Sequence, residues 1–189
     1  YTQAVVDGTD LIQAFLDRCR MRGQAPFISI RMNDAHHKEN VDKKKGEKGV
    51  GSVSMSINKF YYDHPQYRLV PGSLSGKDLV LNWAEPEVRA QKFALLQELC
   101  ENYDIAGLEL DFLRTYSFFR VEETAHEQRC GIMTAFVKDV RSLLDRTPRE
   151  GRRRWLCVRV PCYLEAHDIL GIDLPAMATA VVDMVNAVP

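Results

Sequence analysis

The sequence predicts an α/β fold in which one parallel sheet is covered by helices, and three observations support this class. Short apolar segments typical of strands alternate with longer segments whose apolar residues recur every three or four positions. One strand–helix unit takes roughly 25–45 residues, as in repeated βαβ units. Neither a Gly-x-Gly-x-x-Gly turn nor a Walker A sequence occurs, which counts against a nucleotide-binding sheet of the Rossmann or P-loop type. Two architectures fit this pattern, a doubly wound sheet and a (β/α)8 barrel.

Five segments are predicted to form parallel strands in sequential order. They share a short apolar run with polar residues interleaved, and they lie at residues 26–33, 78–83, 105–112, 154–160 and 182–188. Such runs are typical of strands when they are bounded by turn-forming residues.

The helices between these strands are predicted from apolar spacing and from signals at their ends. The first follows Thr9 as N-cap and stops before Gly23, which suits the left-handed position after a helix. The second begins at Pro86, between acidic residues that favour the positive end of a helix dipole. Residues 132–144 form the clearest amphipathic pattern, and a short helix opens at 173–175.

The chain is predicted to be a single domain, 1–189, with a long loop at 35–78. The first part of this loop is rich in lysine and shows no helical period. A connection of this length inside a compact domain is unusual and is often functional. Because it begins where the first strand ends, we expect it to overhang the C-terminal end of the sheet as a lid.

Composition excludes several classes of protein. Hydrophobic residues make up 46% and charged residues 27% of the 189 residues, as in an ordinary globular domain. The net charge of −1 argues against nucleic acid as a partner. No apolar window approaches the ~18 residues of a membrane span. The five cysteines include no Cys-x-x-Cys, so they are interpreted as small buried side chains, and no metal or other cofactor is predicted.

Charged residues on the strands favour the barrel over the doubly wound sheet. Side chains alternate along a strand, so Glu109 and Asp111 share one face while the leucines beside them share the other. Arg31 and Arg159 are predicted to lie on the corresponding face of their own strands. Isolated buried charges would cost several kcal/mol each, but these four groups could offset one another across a barrel axis. The C-terminal ends of the strands would then form the active site.

Three stretches of sequence resemble a known family. They are Ser-Ile-Arg-Met-Asn-Asp at 29–34, Leu-Asn-Trp-Ala-Glu-Pro-Glu-Val-Arg at 81–89, and Tyr-Asp-Ile-Ala-Gly-Leu-Glu-Leu-Asp-Phe-Leu-Arg at 103–114. Together they are similar to the bacterial family 10-like glycosyl hydrolases, which are glycoside hydrolase-like (β/α)8 barrels. The resemblance covers about 9–189 apart from the lysine-rich insertion, and its most specific element is Tyr-Asp-x-x-Gly-x-x-Leu-Asp-Phe-x-Arg.

The resemblance has implications for fold and location. The family barrel has eight strands, so the five predicted here would be the second to sixth, and the chain would hold a truncated or partial barrel. Members of the family are often exported, which implies a periplasmic or extracellular location. Five cysteines without evident partners are unusual in an oxidising compartment.

Asp111 and Glu109 are the candidate catalytic residues. Two neighbouring carboxylates raise one another's pKa, as a general acid requires. For Asp111, a catalytic role at the rim is favoured over an ion pair with Arg114 or Arg159. For Glu109, which lies deeper, an ion pair with Arg31 or Arg159 is favoured over chemistry.

The candidate substrate-binding residues lie at or near the C-terminal ends of predicted strands: Arg31, Asn33, Asp34, Asn82, Trp83, Arg114 and Arg159. The structural alternatives are that the arginines hold the acids, that Asp34 caps a loop, and that Trp83 is a core residue. Asp34 also begins an Asp-x-His-His sequence with His36 and His37, but such clusters are frequent in loops and a metal site is disfavoured.

Two functions follow. The first is hydrolysis of glycosidic bonds in a polysaccharide, in which one carboxylate protonates the leaving oxygen and a second acts as nucleophile or base. Asp111 would supply one of them, and the other would come from a later strand of the family barrel. The alternative is a non-catalytic carbohydrate-binding barrel, because a fold does not fix a function.

Overall fold

The structure is a computed structural model that describes residues 3, 6–36, 57–71, 76–148 and 151–189. Its centre is a four-stranded sheet with the strands β1 (Phe27–Arg31), β2 (Gly107–Asp111), β3 (Trp155–Pro161) and β4 (Met184–Val188). The strand order is β1-β2-β3-β4, and every neighbouring pair is parallel. The predicted α/β class is therefore confirmed. The described strands form an open sheet in sequential order.

Six α-helices accompany the sheet in the described ranges: α1 (Leu11–Met21), α2 (Lys59–Asp63), α3 (Pro86–Asn102), α4 (His126–Arg146), α5 (Leu164–Leu170) and α6 (Leu174–Ala180). Pro86 starts α3 as predicted. The N-cap of α1 is Asp10 rather than Thr9, because the Asp10 carboxylate accepts a hydrogen bond from the Gln13 amide at 3.0 Å. None of these helices is long and apolar enough to cross a membrane.

The prediction of a strand at 78–83 is wrong. Gly76–Leu79 is a 3₁₀ turn, and Leu81 forms only an isolated antiparallel bridge with Arg68. β1 pairs directly with β2, so the sheet has no place for a further strand between them. The segment is apolar because Val80 is fully buried, and burial without pairing produces the same pattern in the sequence.

The predicted loop at 35–78 is partly structured. Residues 57–71 and 76–78 contain α2 and 3₁₀ turns, and Asn58 caps α2 by accepting a hydrogen bond from the Tyr61 amide. The lysine-rich part, with residues 37–56, lies outside the described residues, as do 72–75. The expectation of a lid therefore remains a prediction.

Helices cover one face of the sheet. The core cluster combines strand residues such as Leu110 and Val158 with residues of α1, α3, α4, α5 and α6. Trp83 lies in this cluster, with its ring 5.0 Å from Phe136 in an edge-on arrangement. β4 is the most exposed strand, and Val185 keeps 46% of its surface accessible.

Gly107 begins β2 at a position where a side chain has no room. A Cβ there would overlap the Trp155 carbonyl oxygen and would lie 2.5 Å from a ring atom of Phe27. Gly131 in α4 is the opposite case, because a Cβ there meets no atom within 4 Å.

We expect Gly107→Ala to lower the free energy of unfolding by about 1–3 kcal/mol, because backbone must move to accept the methyl group. Gly131→Ala should raise it by about 0.5–1 kcal/mol through lower entropy of the unfolded chain. Urea unfolding of the two variants provides the comparison. An unchanged midpoint for Gly107→Ala would contradict the tight packing of β1 against β2 and β3.

Candidate functional site

The register of the strands sorts the polar side chains into two rows on the face of the sheet opposite the helices. The upper row, at the C-terminal ends of the strands, holds Arg31, Asp111, Arg159 and Asn186, and the lower row holds Ser29, Glu109, Cys157 and Met184. We call these eight residues the polar face. The alternation predicted from the sequence is therefore observed.

Asp111 ends β2 and is buried, with 4% of its surface exposed. Its Oδ1 accepts a hydrogen bond from the Leu113 amide at 2.9 Å, and its Oδ2 lies 3.9 Å from Nη1 of Arg159. From its position at the rim, Asp111 is expected from the sequence to be partly solvent-accessible, and this expectation is wrong, because the side chain turns back to bind the backbone that follows its own strand. Asp111 thus makes the contacts of a structural acceptor.

Glu109 lies in the lower row and is partly exposed. Ser29 Oγ donates to its Oε1 at 2.7 Å, and Cys157 Sγ and Asn186 Nδ2 lie 3.6 and 3.4 Å from its Oε2. Burial, and then the neighbouring Glu109 carboxylate, raise the pKa of Cys157 to about 11, so the thiol is protonated and donates. All three partners of Glu109 are neutral donors.

The predicted ion pair of Glu109 with an arginine is wrong. Arg31 and Arg159 align with Asp111, two residues further along the strand than Glu109. Two residues of strand correspond to roughly 6.6 Å, beyond ion-pair distance for side chains that stand upright from the sheet. Glu109 therefore keeps a carboxylate that no described cation neutralises.

Arg31 and Asp34 form a second group at the C-terminal end of β1. Arg31 Nη1 lies 2.8 Å from Asp34 Oδ2, and the His36 amide donates to Asp34 Oδ1 at 2.8 Å. Partial burial alone would raise the pKa of Asp34, but the hydrogen bonds from His36 and Arg31 outweigh it and hold the pKa at about 2. Arg114 is exposed, and its Nη2 lies 3.3 Å from His36 Nε2.

The Asp-x-His-His sequence does not form a metal centre in the part that can be described. The ring of His36 contacts Asp34 through Nδ1, while His37 lies outside the described residues. Among the residues whose placement is described, no group of three metal-type ligands occurs.

Three predicted substrate-binding residues are buried and make contacts within the fold. Asn33 is buried, and its side chain donates to the carbonyls of Leu81 and Ser117 at 2.9 and 3.0 Å. Asn82 is buried and accepts from the Ala84 amide, and Trp83 has no exposed surface. Their polar or aromatic groups are used in packing, which favours the structural alternative, although Asn33 and Trp83 also line a cavity of about 170 Å³.

Lys92 is a charged residue of the site that sequence reasoning missed. It extends from α3, donates from Nζ to the Arg31 carbonyl at 3.0 Å, and borders a cavity of about 170 Å³ together with Asp34. Burial lowers the pKa of Lys92 to about 8, and the nearby Asp34 offsets part of this effect. The spacing offered a signal, because Lys92 lies four residues from each of the buried residues Val88 and Leu96.

A further polar cluster lies between α4 and α5. His126 Nδ1 contacts Asp168, which also binds Arg129, and Cys130 lies one helical turn from His126. The Cys130 sulfur is 3.7 and 3.9 Å from the two ring nitrogens, so it lies beside the ring rather than in line with Nε2. Burial, followed by the charge of Asp173, raises the pKa of this thiol. The arrangement therefore lacks the geometry and the thiolate of a nucleophilic triad.

Comparison with known proteins adds no assignment: no protein-family model matches this chain, and no curated protein matches it.

The lowered pKa of Lys92 makes stability depend on pH in a defined direction. The unfolded chain, with an ordinary lysine pKa, binds more protons than the folded chain between about pH 8 and 10.5, so stability rises with pH in this window. We expect the stability of the protein relative to Lys92→Met to increase from pH 8 to pH 10. Chemical denaturation at several pH values measures it, with Lys138→Met on the exposed side of α4 as the control. If the difference in stability between the wild type and Lys92→Met did not change with pH, the burial of the Lys92 ammonium would be contradicted.

Proposed function

We propose that this chain binds a polysaccharide on its polar face, as a partial (β/α)8 barrel of the glycoside hydrolase-like type, and that Glu109 contacts the sugar. One observation carries the proposal. Glu109 is a partly exposed carboxylate whose three partners are neutral donors, so it retains its charge and unused lone pairs for a ligand.

The chemistry around Glu109 suits sugar hydroxyl groups. A hydroxyl both donates and accepts, and the polar face offers acceptors on Glu109 together with donors on Arg159 and Asn186. Enzymes with parallel (β/α)8 sheets place their sites at the C-terminal ends of the strands, which is where the upper row lies. The sequential strand order and the helices on one face are also compatible with a barrel segment.

Hydrolysis requires two carboxyl groups with separate roles. Glu109 is the better placed of the two in this chain, since Asp111 is buried and already accepts a hydrogen bond from Leu113. We assign Asp111 to positioning Arg159, and the second catalytic group would come from elsewhere in the protein. Because Asp111 is already bound by the Leu113 amide, the structure also suits the alternative, a carbohydrate-binding barrel without catalysis.

We expect Glu109→Gln to weaken polysaccharide binding by about tenfold or more, because hydrogen bonds to a charged acceptor contribute about 1.5–3 kcal/mol. The variant retains an oxygen that can accept from Ser29, so its stability should change by about 1 kcal/mol or less. Affinity electrophoresis in gels that contain neutral or acidic polysaccharides measures binding. Glu98→Gln, on an exposed part of α3, is the matched control.

The same proteins distinguish the two functions. New reducing ends released by the wild type but not by Glu109→Gln indicate hydrolysis, whereas binding without release indicates the non-catalytic alternative. Retardation of wild type and Glu109→Gln to the same extent would exclude Glu109 from the site. No retardation by any polysaccharide would refute the proposed function.

A further inference from the structure

We infer that the preferred polysaccharide is acidic and that Arg159 binds a carboxylate of a uronic acid residue. This inference rests on the proposed function and names its substrate class. Its basis is a guanidinium on the polar face that the protein itself leaves largely unused.

The Arg159 guanidinium has five N–H donors, and none of them donates a hydrogen bond to the described part of the protein. Its Nε is buried and lacks a partner, and its closest acidic atom, Asp111 Oδ2, lies 3.9 Å from Nη1. That separation allows attraction between the charges but exceeds a hydrogen bond. The side chain is 37% exposed, so a ligand can reach it.

Other arginines of this chain are used differently. Arg154 donates from Nη1 and Nη2 to the carbonyls of Cys100 and Tyr103 at 2.7 and 2.8 Å. Arg129 donates from all three nitrogens, two of them to Asp168. The fold thus supplies acceptors for arginines that hold it together, and Arg159 stands apart from them.

The charge around the upper row favours an anion. Arg31 and Arg159 flank Asp111 in the register, and Lys92 lies behind the end of β1. The two arginines and two acids of the polar face sum to zero, but Asp34 pairs with Arg31, so Arg159 is the cation of the upper row that remains open to an anion. Glu109 lies one row lower, where it remains available for hydroxyl groups of the same sugar.

The geometry of a carboxylate fits the Arg159 guanidinium. The guanidinium is a planar fork whose parallel N–H groups match the two oxygens of a carboxylate, and such bidentate pairs are among the stronger hydrogen-bonded contacts in proteins. Lysine presents a point charge and would reproduce the attraction but not the fork.

Matched oligosaccharides test the inference. Oligogalacturonate, oligoglucuronate and alginate oligosaccharides are compared by calorimetry with their carboxyl-reduced forms, which differ only in lacking the carboxylate. We expect at least one acidic oligosaccharide to bind the wild type about tenfold more tightly than its reduced form. Arg159→Gln should abolish this preference, Arg159→Lys should retain part of it, and Arg18→Gln on the exposed side of α1 should retain all of it.

The outcomes separate this inference from the proposed function. Equal binding of the acidic and reduced forms by the wild type would refute the acidic substrate and leave polysaccharide binding intact. No binding of either form would refute both. If Arg159→Gln still prefers the acidic over the reduced oligosaccharide, Arg159 does not bind the carboxylate. Tighter binding of a sulfated oligosaccharide would show that a carboxylate is not the preferred anion. Circular dichroism shows whether Arg159→Gln folds. If it does not fold, Arg159→Lys provides the test: a reduced preference for the acidic over the carboxyl-reduced oligosaccharide supports the inference, and an undiminished preference counts against it.

Discussion

The register between β1, β2 and β3 is the constraint on which the rest of the structure depends. It places Arg31, Asp111 and Arg159 at one level and turns the leucines of β2 towards the helices. A slip of one residue would exchange the two faces, because side chains alternate along a strand. Glu109 and Asp111 would then enter the core at a cost of several kcal/mol for each uncompensated charge. The charged site and the apolar core are therefore two results of the same pairing.

The two ends of the sheet use charge for different purposes. At the N-terminal end, Arg154 binds carbonyls at the end of α3, and Arg141 binds Asp183 at 2.9 Å just before β4. These groups are buried and paired, and they hold helices against the sheet. Towards the C-terminal end, Arg159 in the upper row and Glu109 one row below it are partly exposed and incompletely satisfied. Paired charges that stabilise the fold therefore lie at one end of the sheet, and incompletely satisfied charged groups lie towards the other.

Alternation and helical spacing were sufficient to predict the α/β class, four of the strands and the identity of the polar face. They could not predict how deeply each side chain is buried, because burial depends on residues distant in the sequence. Trp83 and Asn33 lie at predicted strand ends but are buried by the segments around Leu81 and Phe118. The 78–83 segment shows the same limit, since apolar residues there signal burial and not pairing. The buried contacts of Asp111 and the neutral partners of Glu109 were not predicted, because the position of the Leu113 amide and the alignment of the arginines are visible only in three dimensions.

The exposure of β4 bears on how the chain behaves in concentrated solution. One edge of this strand pairs with β3, and within the described structure no strand pairs with the other edge. Its unpaired amide and carbonyl groups, beside the exposed side chains of Met184 and Val185, form a template on which another extended segment can add. Pro189 follows directly and has no amide hydrogen to extend the ladder. We therefore expect association between copies of this chain in concentrated solution to begin at β4 or at β1, whose outer edge likewise has no strand partner in the described structure.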